Sequence, residues 1–276
     1  MATDETLEFE IAQLLEAIHF RYGYDFKDYA QASLQRRVLN RVALSNLSCV
    51  SDLTAKVLHD EAFFELFLKD MSITVTEMFR DPHVFKAIRQ QVVQHLKTYP
   101  RINIWHAGCA TGEEVYSMAI LLKEEGLLDR AQIYATDYNN HSLEIARKGI
   151  YPAKHIKLYT QNYLASGAKA SFADYYSAKY DSAKIDESLK KNITFANHNL
   201  MKDQVFAQMH LILCRNVLIY FNKTLQDKVL NLFQESLMHK CYLVLGDKES
   251  LEFSKVKPSF EESYQKEKIY RKKNVL

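Results

Sequence analysis

The sequence predicts an α/β chain: a doubly wound, mainly parallel sheet, preceded by a small all-helical domain and interrupted by a small antiparallel β-subdomain. Three observations carry this expectation. After Pro100 the short β-rich runs INIWHAG, QIYATD, HLILC and CYLVLG alternate with amphipathic helical stretches such as EEVYSMAILLKEEG and LQDKVLNLFQESLMHK, the rhythm of crossover units. From Leu7 to about Asp70 the apolar residues recur instead at helical spacing, with Gly23 the only glycine and no proline. Between Tyr151 and Phe195 the alternation stalls in a tyrosine- and lysine-rich stretch, with β-like pieces around YYSAKYDSAKI. The expected boundaries are 1–72 for the helical domain and 73–276 for the α/β domain, with the insertion at about 151–195.

Taken in order, the helical domain opens on Leu7, Ile11, Leu14, Leu15 and Ile18, a stripe that buries one helix face. A second helix, from Ser33 to about Ser45, aligns Leu34, Val38 and Val42 at i, i+4 and i+8. It fans Arg36, Arg37 and Arg41 around the neighbouring side with no acid among them. Such a face attracts an acidic helix, although most charged runs are only a solvated surface. ITVTEMFRDPHVF (Ile73 to Phe85) joins the helices to the sheet and carries Arg80 beside an Asp-Pro helix start. CRNVLIYF (Cys214 to Phe221) places Arg215, Asn216 and Tyr220 just after the expected fourth strand. The tail SFEESYQKEKIYRKK reads as a last hairpin at the sheet edge.

Composition narrows the function classes. With 276 residues and 47% apolar content the chain buries a full core. A net charge of +2 supplies no reason to expect nucleic acid as a partner. Cys49, Cys109, Cys214 and Cys241 lie far apart without CxxC pairing, which fits neither a disulfide framework nor a zinc site and points to a reducing cytoplasm. His106 and His198 show no metal-ligand spacing, so no metal is expected. No opening run resembles a signal peptide, and no segment approaches the roughly eighteen apolar residues that span a bilayer. A soluble monomer without membrane insertion is expected.

The chemistry concentrates in IWHAGCATGEEVYS, Ile104 to Ser117. Gly108 and Gly112 supply a turn that lets backbone approach a ligand beyond the strand end. The order G-C-A-T-G-E-E lacks both the G-x-G-x-x-G of a dinucleotide turn and the lysine of a phosphate loop. Glu113 and Glu114 open the next helix, where acids complement the helix dipole but repel an anion. Asp137 closes the strand QIYATD, the position from which an acid accepts hydrogen bonds from both ribose hydroxyls. A nucleoside bearing positive charge meets all three features, and S-adenosylmethionine is the common one. The competing reading makes the glutamates first-turn residues and Asp137 a helix cap.

TEMFRDP, IWHAGCATGEE, YATD, Asn199-Leu200, LILCRNVLIYF and LGDKESL stand in the order and spacing of the CheR-type chemoreceptor methyltransferases, which the chain resembles over nearly its whole length. The resemblance implies a Rossmann-like methyltransferase sheet and transfer of a methyl group from S-adenosylmethionine to glutamate side chains on the helical cytoplasmic region of a chemoreceptor. It also implies cofactor contacts from Thr74, Thr76, Arg80, Ala107, Glu113, Asp137, Asn199, Leu200, Cys214 and Arg215. Tyr220 is implied near the transferred methyl; Tyr220 and Arg80 are expected to position the reacting groups, and Arg36, Arg37 and Arg41, read from their helix face, are expected to dock the receptor. The chain departs from the family at Ala110, where a serine is usual, at Thr74, where asparagine is frequent, and at Asp247-Lys248, where histidine-serine is usual. A carboxylate nucleophile needs no general base, so no catalytic dyad is expected. The residues alone leave open a methyltransferase for another protein or a small molecule, and a cofactor-binding protein without turnover.

Overall fold

The computed structural model describes residues 4–71 and 76–274; Thr74 lies outside the described residues. The chain divides into two units. One comprises the residues up to Ile73 together with Ile219–Gln226, and the other Thr74–Leu218 with Asp227–Leu276.

The first unit is built on α1 (Asp4–Tyr22), α2 (Gln31–Leu44), α3 (Val50–His59) and α4 (Glu61–Met71). The apolar stripes read from the sequence become its core: Leu14 and Ile18, Leu34 and Val38 are buried with Leu53, Val57, Phe64 and Phe67. Truncating one such aromatic costs about 3–5 kcal/mol. Tyr22 stacks on Phe64 at 3.7 Å between centroids and donates its hydroxyl to the Val57 carbonyl at 2.8 Å. The Asp60 carboxylate accepts the Phe63 N–H at 3.0 Å and starts α4.

The expected basic face of α2 is corrected by this packing. Arg37 and Arg41 are buried, and only Arg36 is exposed. Arg37 donates to the Met71 carbonyl, and Arg41 is paired with Asp70. The acid missing from α2 is delivered by the end of α4, a long-range pairing that helical spacing does not reveal.

In the second unit, Pro82–Ala87 (α5) and Val93–Leu96 (α6) flank a π turn at Ile88–Val92. The sheet elements follow: β1 (Ile102–Ala107), α7 (Glu113–Glu124), β2 (Ala131–Asp137), α8 (Asn140–Lys148), β3 (Ile150–Pro152), α9 (Ile156–Ala165), β4 (Tyr176–Lys179), β5 (Ser182–Ile185) and β6 (Ile193–Asn197). Then come β7 (Met209–Cys214), α10 (Lys223–Ser236), β8 (Leu237–Leu245), β9 (Phe260–Tyr264) and β10 (Ile269–Lys272). Seven strands order as β6-β2-β1-β7-β8-β10-β9. The first five are parallel, and β9 and β10 pair antiparallel at one edge. From β1 the chain moves outward to β2 and β6, then returns to add β7 and β8 on the other side. The chain therefore leaves β1 and β7 in opposite directions along the sheet, and the strand ends at that switch point are where such sheets take ligands.

The insertion forms a separate three-stranded antiparallel sheet, β3-β5-β4. It contains a helix the sequence reading did not anticipate, α9, whose tyrosines look strand-like but bury Tyr159 and Tyr163 four residues apart on one face. Phe195 belongs to β6 of the main sheet and not to the insertion.

Candidate functional site

The loop from β1 to α7 is bent by three left-handed residues, Gly108 (φ +77°), Ala110 (φ +46°) and Gly112 (φ +90°). Two of these positions exclude a side chain for steric reasons as well. A Cβ on Gly108 would meet Val217 Cγ2 at 2.6 Å, and one on Gly112 would meet Ala146 Cβ at 2.8 Å. The loop after β7 thus packs directly on the loop after β1. Ala110 adopts its strained conformation while its N–H donates to Asp137 Oδ2 at 2.9 Å. The other oxygen of Asp137 accepts the Asn139 N–H at 2.9 Å. Asn139 in turn caps α8 by accepting from the Ser142 N–H, so the capping role belongs to Asn139. Burial raises the Asp137 carboxyl above its ordinary range, against the lowering by the Asn139 and Ala110 amides.

The two glutamates behave differently. Glu113 is buried, accepts the Thr111 hydroxyl at 2.6 Å, and is pushed by burial up to about 7. Tyr151 donates its hydroxyl to the Thr111 carbonyl at 2.7 Å and braces the loop from the insertion side. Glu114 sits 3.0 Å from His106 Nδ1 and 3.0 Å from Arg215 Nη1. Burial opposes its charge, but the His106 ring and the Arg215 guanidinium outweigh it and hold the carboxyl below its ordinary range.

Arg215 follows β7 with a side chain only 1% exposed. It donates to the Arg80 carbonyl at 3.2 Å, to Glu114 at 3.0 Å and to Asp81 at 2.5 Å. Both terminal nitrogens of its guanidinium are therefore paired within the protein. Ala107 and Cys214, at the ends of β1 and β7, are buried. Thr76 and Arg80 are half-buried ahead of α5. Asn199 turns the chain after β6: its side-chain Oδ1 accepts the Met201 N–H at 2.9 Å, and Leu200 is buried.

Sequence reasoning missed Glu249. Its carboxylate accepts the N–H groups of Asn216 (3.0 Å), Val217 (2.8 Å) and Gly246 (2.6 Å), locking the loops after β7 and β8 together. A Cβ on Gly246 would meet Asn216 N at 2.8 Å, which explains the glycine. The L-G-D-K-E run carried that signal, but one acid after a glycine does not announce three main-chain donors.

Tyr220 belongs to the helical unit. Its carbonyl accepts the Ala30 N–H at 2.8 Å, Phe221 bridges antiparallel to Tyr29, and Arg37 lies over the Tyr220 ring at 4.9 Å from its centroid. Arg37, read from the sequence as a docking residue, is a packing partner of Tyr220.

Comparison with known proteins bears on the family of the chain. Residues 74–269 match the family described as CheR methyltransferase, SAM binding domain, and residues 10–72 match CheR methyltransferase, all-alpha domain. The chain is 50% identical over 272 residues to the Pseudomonas putida protein named "Putative methyltransferase Cher3", covering 99% of this chain and 100% of that one. It is 31% identical over 238 residues to chemotaxis protein methyltransferase 1 of Vibrio cholerae, covering 83% and 84% of the two chains. It is 28% identical over 262 residues to the chemotaxis protein methyltransferase of Borreliella burgdorferi, covering 89% of each.

Proposed function

The chain belongs to the CheR methyltransferase family, and on that premise we propose that it transfers a methyl group from S-adenosylmethionine to glutamate side chains of a chemoreceptor's helical cytoplasmic region. The observation that carries the reading is the cradle itself. Gly108 and Gly112 hold the loop after β1 in the left-handed region with Val217 and Ala146 packed against them, the carboxylate of Asp137 closes the second strand, and an acid rather than a lysine opens the helix. This donor set fits a ribose and a cationic nucleoside, and it rejects a phosphate. Asp137 would receive the ribose hydroxyls, with Ala107, Glu113, Asn199, Leu200 and Thr76 around the remainder. S-adenosylmethionine supplies, when bound, a methyl group on a positively charged sulfur.

A glutamate carboxylate, ordinarily titrating near pH 4.3, is ionised at neutral pH and needs no base. What this chain must do is orient and exclude water, which is worth on the order of 7–11 kcal/mol in favourable cases. Arg80 would steer the incoming carboxylate without clamping it, since a tight bidentate pair stabilises the ground state and blunts the nucleophile. Tyr220 would align the reacting groups. With Arg37 and Arg41 buried, Arg36 is the one arginine of that helix left exposed for receptor docking.

The reading is tested by incubating the protein with methyl-labelled S-adenosylmethionine and membranes of its own cells. Label that enters a receptor-sized band and leaves as a volatile product in mild base supports it. Base-stable label, or label only in small molecules, overturns it.

A further inference from the structure

Arg80 lies between two residues in the left-handed region, Phe79 (φ +51°) and Asp81 (φ +54°). Neither is a glycine, so each conformation carries strain of order 1–3 kcal/mol that surrounding contacts must hold. The contacts are specific. The Phe79 N–H donates to Ser117 Oγ at 2.8 Å, and Ser117 is itself tied to the Glu113 carbonyl at 2.7 Å. Arg215 grips the next two residues, taking the Arg80 carbonyl through Nη1 and the Asp81 carboxylate through Nη2. The same Nη1 donates to Glu114, whose other oxygen meets His106 Nδ1. All three residues of the turn are thus fixed from α7 and the end of β7.

We propose that Asp81, Glu114 and His106 are positioning residues for Arg80, acting through the buried Arg215 guanidinium. The inference rests on the reading that Arg80 meets the cofactor and the reacting carboxylate. Two carboxylates share one guanidinium that is almost fully removed from water, so deleting either acid leaves a buried charge short of a partner. Arg215 then re-pairs, the hold on the Arg80 carbonyl loosens, and the strained turn relaxes toward ordinary backbone. The Arg80 side chain moves with its main chain. Glu114 is accordingly distinct from Glu113 despite adjacency: one faces the loop, and the other faces the turn that carries Arg80.

A double-mutant cycle tests this. Affinity for S-adenosylhomocysteine is measured by calorimetry on the full chain for wild type, Glu114→Gln, Arg80→Ala and the double variant, with Asp81→Asn as a second, less buried entry into the same group. The expected result is a loss of about tenfold, ~1.4 kcal/mol, for Glu114→Gln and Asp81→Asn in the wild-type background, and almost no further loss once Arg80 is alanine. Equal losses in both backgrounds overturn the inference, because the acids then act independently of Arg80. An Arg80→Ala variant with wild-type affinity contradicts the assignment of Arg80 itself, a different failure read from the same cycle.

Discussion

Glu113 and Asp137 are the two acids on which the cofactor reading rests, and burial acts on both. For Glu113 the consequence is measurable. Its folded pKa of about 7 exceeds its ordinary 4.5, so the folded state holds the proton more tightly. That contribution is fully present below pH 4.5 and is lost as pH rises through 7. Above that, the ionised carboxylate is a burden of about 3 kcal/mol. Glu113→Gln is therefore expected to be more stable than the ligand-free wild type by about 2–3 kcal/mol at pH 8.5, with the gap closing toward pH 5. Urea unfolding at the two pH values checks this, and a gap independent of pH contradicts it. A cation bound beside Glu113 would relieve the same burden. The sequence made both acids legible because their places in the strand-loop-helix pattern are local. It did not make Glu249 legible, since its three donors come from main chain more than thirty residues away or across a turn.

Helix α2 illustrates what periodicity gives and what it withholds. Leu34 and Val38 at i and i+4 are buried as their spacing requires. The arginines beside them divide by an interaction that spacing cannot carry: Arg37 and Arg41 meet Met71 and Asp70 from α4, while Arg36 faces solvent. Arg37→Ala is expected to destabilise the protein by about 2–4 kcal/mol, because it removes a buried cation's contacts with the Met71 carbonyl and the Tyr220 ring. Arg36→Ala should stay within about 0.5 kcal/mol. Chemical denaturation of the two single variants separates them, and equal effects would contradict the division. The strands were legible for a related reason, since buried parallel strands read as short apolar runs between helices. Strand β6, ITFAN, was less apolar and half-exposed, so it merged with the insertion before it.

At the scale of the whole molecule, the helical unit is assembled from two separate stretches of chain. The chain leaves β7, lends Ile219–Gln226 to the helical unit, and returns to the sheet through α10. Tyr220 thereby takes its backbone and ring partners from α2 and the residues before it. Both family segments, all-alpha and SAM-binding, occur in the one chain. Among the described residues no helix is long and apolar enough to cross a membrane. The most direct measurement is mass spectrometry of receptor peptides after incubation with S-adenosylmethionine and this protein. The account predicts one added methylene, localised to glutamate side chains, removed by mild base and absent when Asp137→Ala replaces wild type. Methylation on lysine, on a main-chain terminus or on no receptor peptide at all, from a protein that binds S-adenosylhomocysteine normally, would contradict it.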